Sequence, residues 1–98
     1  MTAPLNVPLV VNSVLSAAAY FPGGAAVLTG VANTWNGNTY TLNLLGPDGL
    51  TTFATAITLA ANGVSAVAYL PAGKYSATQS GTSTGAYVNL QAVPTNLN

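Results

Sequence analysis

The chain has 98 residues, of which one is basic, Lys74, one is acidic, Asp48, and none is histidine or cysteine. Charged residues are 2% of the sequence, against about 25% in ordinary soluble domains. General acid–base catalysis, nucleophilic catalysis with a neighbouring base and the usual metal sites all lack their side chains here, and one lysine cannot displace the counterions that hold proteins to nucleic acid. The expectation is a protein that is not an enzyme, with no catalytic, metal or cofactor site, no small-molecule substrate and no nucleic-acid partner. A formal net charge of +0 leaves copies with little mutual repulsion, which points to a subunit of an assembly, a homo-oligomer.

A chain of this length closes one modest core and has no room for a second domain. Half of its residues are hydrophobic and its mean hydropathy is +0.47, so a membrane segment has to be considered. The one candidate, residues 14–32, is broken by Pro22-Gly23-Gly24 and has no flanking Lys or Arg, so no membrane partner is expected. The N-terminus has no positively charged stretch leading into an apolar one, and the expectation is synthesis in the cytoplasm without a signal peptide. With no disulfide available, stability has to come from packing and from neighbouring subunits.

Residues 1–21 come first. Pro4 and Pro8 favour an extended path, while Leu5, Val7, Leu9, Val10, Val11, Val14 and Leu15 are too apolar for a free tail. Two readings stand: a first strand of the domain, with residues 16–20 as linker or short helix, or an arm that adds to a neighbour's sheet. The body, residues 22–94, is poor in strong helix formers and rich in Thr, Asn, Ser, Gly and Val, which favours strands and turns. Residues 25–33 form a strand, and Trp35 lies close to the turn Asn36-Gly37-Asn38.

In residues 39–45, Tyr40, Leu42 and Leu44 share one face and Thr39, Thr41 and Asn43 the other, the period of a half-buried strand. Gly46-Pro47-Asp48-Gly49 then turns the chain into residues 51–59, where Phe53, Ile57 and Leu59 share a parity, giving a hairpin. Residues 64–70 are a further apolar run ended by Pro71-Ala72-Gly73. Residues 74–80 resume with Tyr75 and Ala77 on one face. Residues 86–93 place Ala86, Val88, Leu90 and Ala92 inward and Tyr87, Asn89 and Gln91 outward before Pro94, and residues 95–98 read as a frayed tail. The fold class is all-β: a compact, single-domain antiparallel β-sandwich or small barrel of about six to seven short strands, with an extended N-terminal arm.

Asp48 within Gly-Pro-Asp-Gly reads as a turn former, and Lys74 as a solvated amine or an edge guard. Tyr40, Phe53 and Tyr75 lie on faces that need a core. Trp35, Tyr69 and Tyr87 are left over as interface anchors, since large rings with a polar tip are enriched at subunit contacts. The candidate subunit-contact residues are Leu5, Val7, Leu9, Val10, Val11, Trp35, Tyr69 and Tyr87. The threonines form no fixed-period array, which argues against ice binding.

Residues 39–49 (Thr-Tyr-Thr-Leu-Asn-Leu-Leu-Gly-Pro-Asp-Gly), then Leu59-Ala60-Ala61-Asn62-Gly63, Leu70-Pro71-Ala72-Gly73-Lys74-Tyr75, and Ala86-Tyr87-Val88-Asn89-Leu90 with Val93-Pro94 together resemble a run found in small structural proteins of tailed bacteriophages. The resemblance spans about residues 24–94 and rests on the order and spacing of turns. It implies a virion component, a capsid decoration or cement protein on the capsid surface, whose partners are the major capsid protein and copies of itself. The chain departs from that pattern in carrying Ala and Ser where such proteins have charged strand residues. Two alternatives from other classes are a carbohydrate- or surface-binding module of a fibre or adhesin that uses Trp35, and a self-assembling fibre or sheath protein.

Overall fold

The computed structural model describes residues 6–93. The candidate Leu5 and the expected frayed tail, residues 95–98, lie outside them. Ten strands run antiparallel in two stacked sheets: β1 (Asn6–Val11), β2 (Val14–Leu15), β3 (Ala19–Phe21), β4 (Gly24–Val31), β5 (Tyr40–Leu45), β6 (Thr52–Leu59), β7 (Gly63–Val64), β8 (Ala68–Leu70), β9 (Gly73–Gln79) and β10 (Tyr87–Ala92). The first sheet has the order β2-β1-β10-β4, with both β7 and β8 on the free side of β4, and the second has the order β3-β9-β5-β6. The all-β sandwich expected from the turn spacing is the fold found. The strand number exceeds six to seven because residues 6–21 supply three strands and residues 63–70 supply two.

The core lies between the sheets. Leu9, Val10, Phe21, Leu28, Tyr40, Leu42, Tyr75, Val88 and Leu90 are fully buried, each contributing about 1.5–3 kcal/mol relative to exposure. Phe21 meets Tyr75 edge to face at 6.0 Å, and Trp35 meets Tyr40 at 5.9 Å, the geometry that ring quadrupoles favour. The alternation read in residues 39–45 is the one observed: Tyr40 and Leu42 face the core. Gly30 lets β4 approach β6, since a Cβ there would stand 2.5 Å from Leu59 Cδ2.

Residues 6–11 are a strand of the chain's own sheet, paired with β10 in the register Asn6–Gln91, Val7–Leu90, Pro8–Asn89 and Val10–Val88. This is the first-strand reading, and it corrects the assignment of Val7, Leu9 and Val10 as subunit contacts. All three are buried in the core, where the domain uses their apolar surface itself. Residues 16–20 are not helical either, and Ala19–Phe21 pairs with β9. The apolar stretch 14–32 is strand, and among the described residues no helix is long and apolar enough to cross a membrane.

Phe53 also departs from expectation. It is 49% exposed, because β6 is an edge strand and the ring rests on Gly46 rather than between the sheets. Lys74 stands on β9, an interior strand between β3 and β5, so the amine guards no edge and is simply solvated.

Candidate interaction face

The outer face of the first sheet brings together Val11, Val14, Val31, Val64, Tyr69 and Tyr87, all of them exposed. Its construction begins in β1. A bulge between Pro8 and Val10 inserts Leu9 into the pairing with β10, and an extra residue reverses which side the following side chains take. Val7 and Leu9 point inward, Val10 points inward as well, and Val11 turns out to solvent.

The two-residue turn Asn12-Ser13 then reverses the chain with both residues at positive φ, 49° and 66°, the type I′ geometry whose twist matches a hairpin. Serine has no intrinsic preference for that region, and two bonds hold it there. The Ser13 N–H donates to Ala86 O at 2.8 Å, and Ser13 Oγ accepts from the Ala86 N–H at 3.0 Å. Val14 returns directly opposite Val11.

Register carries the row across the sheet. Val10 faces Val88, which sets Val11 beside Tyr87, and Tyr87 faces Val31 of β4. Val14, Val11, Tyr87 and Val31 thus form a continuous line over four strands, exposed by 67%, 49%, 46% and 51%. Cross-strand neighbours on one face stand about 4.5–5.5 Å apart, so these side chains touch one another. The next row is milder: Pro8, Asn89, Thr29 and Val64. At the far end Tyr69 of β8 lies opposite Ala25 on this same face and is 79% exposed.

Both charged side chains belong to the second sheet. Lys74 projects from β9 opposite Tyr20. Asp48 is in the β5–β6 turn, where Thr51 Oγ1 donates to its Oδ2 at 2.6 Å and the N–H groups of Thr51 and Leu50 donate to its Oδ1 at 2.8 and 2.9 Å. Those bonds, the Thr51 hydroxyl first, hold its carboxyl at about 2, below the ordinary 3.8. This is turn chemistry. The first sheet has no charged side chain at all.

The remaining candidate, Trp35, is half-buried against the core. Its indole N–H donates to Asn62 Oδ1 at 2.8 Å, and the same oxygen accepts from the Ala32 N–H at 3.0 Å. Of the eight sequence candidates, Val11, Tyr87 and Tyr69 meet on one face and Trp35 does not join them. Val14 and Val31 were missed. Val14-Leu15, set between Ser13 and Ser16, is too short to show a period, and the burial of Ala25, Ala26, Val27 and Leu28 in succession erases the alternation that would have shown Val31 facing out.

A shallow groove of about 290 Å³ runs between the edges of the two sheets, lined by Ala56, Ile57, Thr58, Ser65, Ala66, Val67 and Ala68. No titratable side chain borders it. Among the described residues there is no group of three or more His, Cys, Asp or Glu. Comparison with protein-family models, with curated proteins and with solved structures yields no match.

Proposed function

We propose that this chain is a structural assembly subunit, in its most concrete form a decoration or cement protein that binds the major capsid protein on the surface of a virion and stiffens the shell. The observation that carries the reading is the uncharged outer face of the first sheet, where three valines and Tyr87 form a solvated apolar row. Large rings beside aliphatic side chains, with charge depleted, are the composition of the buried centre of protein contacts. A contact made this way is little screened by salt. Many copies on a symmetric shell turn modest individual contacts into firm attachment.

The alternatives find less support. A glycan module would use Trp35 as an open platform, yet the ring packs edge-on to Tyr40 and its N–H is bonded to Asn62. A fibre built by edge pairing calls for a long flat edge, and the long edge strand β6 is bulged.

The test is immunogold labelling of virions from the same source with an antibody against this chain. Label distributed over the shell is the expected result. Label confined to tail or fibres, or none on purified particles, overturns the decoration reading.

A further inference from the structure

We infer that the outer face of the first sheet is covered, in the free protein, by the same face of a second copy. The inference rests on the assembly reading in taking this face as a contact surface, and it adds the occupant.

Charge supplies the first argument. A partner for this face must bring no ion that would be desolvated without a mate, and the same face of a second copy meets this condition. With a net charge of +0, two copies approach without repulsion.

Area supplies the second. The chain measures 41 × 33 × 19 Å, and the short dimension is that of two stacked sheets. The molecule's broad side therefore has room for the roughly 800 Å² that each partner contributes to a standard interface. From Val31 to Ala25, where Tyr69 sits, β4 runs six residues, about 20 Å of strand, so aromatic rings stand at both ends of the face.

The third argument is the closure of the other route. Two copies of a sandwich can also join edge to edge, but the outermost strands here are short or irregular. In the first sheet β2 has two residues, and the opposite edge is split into β7 and β8 by a bulge. There Ser65 N–H donates to Leu28 O and Ser65 Oγ accepts from Leu28 N–H, both at 2.8 Å. In the second sheet β3 has three residues. β6 is long but breaks register opposite β5, with Ala56 at φ 67° inside the irregular stretch. Face contact is what remains.

The experiment measures the mass of the full chain by sedimentation equilibrium over a concentration series, for the wild type and for Tyr87→Lys, Val31→Lys and Thr58→Lys. Thr58 faces solvent from the second sheet and is the control. The expected result is a wild type and Thr58→Lys at twice the 9.7 kDa chain mass, with Tyr87→Lys and Val31→Lys weakened about thirtyfold or more, because each puts an unpaired ammonium into the contact. Because a lysine variant could misfold, a second readout uses the cysteine-free background. Maleimide labelling of Val31→Cys slows as protein concentration rises, and labelling of Thr58→Cys does not.

A monomeric wild type, a dimer untouched by Tyr87→Lys and Val31→Lys, or labelling of Val31→Cys independent of concentration overturns the inference. None of these outcomes bears on shell labelling, so failure of the dimer and failure of the decoration reading are read separately.

Discussion

Trp35 and Asn62 are joined across 27 residues of sequence by one oxygen, which accepts both the indole N–H at 2.8 Å and the backbone N–H of Ala32 at 3.0 Å. Asn62 thereby ties the turn after β6 to the end of β4 and fixes the ring against Tyr40. Asn62→Ala removes the acceptor of two solvent-reachable hydrogen bonds, and the expected loss is about 0.5–1.5 kcal/mol. Chemical denaturation measures it. The emission of Trp35, the single tryptophan, should shift as the ring is released, and an unchanged spectrum with unchanged stability would contradict this role for Asn62.

Tyr40 is fully buried and, among the described residues, its hydroxyl has no hydrogen-bond partner. Burial of an unpaired hydroxyl opposes folding, whereas the ring contributes packing. Tyr40→Phe keeps the ring and removes the unpaired group, so stability should be unchanged or rise by about 1 kcal/mol. In thermal unfolding that gain corresponds to about 4–8 °C for a chain of this size. A clear fall in Tm would mean that the hydroxyl has a partner after all.

Asp48 is the only side-chain carboxylate, which makes acid titration simple to read. Its folded-state value, about 2, lies below the ordinary 3.8 because Thr51 and Leu50 donate to the ionised form. A lowered value means that the unfolded chain binds the proton more readily. The stabilisation is therefore complete above about pH 4 and is lost as the pH falls through 2. Thermal unfolding of the wild type should decline over that window, and Asp48→Asn should flatten the decline, leaving only the contribution of the chain terminus.

Gly30 is needed where the sheets come closest. A methyl group there would meet Leu59 Cδ2 at 2.5 Å and Val88 Cγ2 at 3.3 Å. Leu59 can yield only by shifting within the core, so Gly30→Ala should cost about 1–3 kcal/mol, read by denaturation. In a Leu59→Ala background, itself destabilised, the further cost of Gly30→Ala should shrink because the clashing atoms are gone, and that non-additivity is the signature.

What the sequence made legible depended on whether side chains kept a strict period. Residues 39–42 and 86–90 alternate because β5 and β10 each lie between two partners with one face on the core, and their inward residues could be named in advance; Asn43 is buried as well, under its bond to Thr78. Residues 6–11 could not be resolved this way: the bulge at Leu9 puts two consecutive apolar residues into the core and turns Val11 out. Nothing local signals that reversal, because its cause is pairing with β10, some eighty residues away. The same holds for the candidate face. Tyr87 and Tyr69 stood out as rings without a core to fill, but the placing of Tyr87 beside Val11 and Val31, and of Tyr69 at the far end of the same face, is a product of strand order. Trp35 looked like an anchor because its partner, Asn62, lies in a turn whose Asn-Gly chemistry accounts for the residue by itself.

The blunted edges have a consequence for the conditions this protein tolerates. One common way to keep sheet borders apart is a lysine on the edge strand, a defence that weakens when salt screens the charge or alkali removes it. Here the borders are kept apart by backbone geometry: strands of two and three residues, a serine inserted into a ladder, and a left-handed alanine. None of these features carries a titratable group. Resistance to stacking into fibrils should therefore be nearly the same in dilute buffer and in brine, and the same at either end of the pH range that the fold survives.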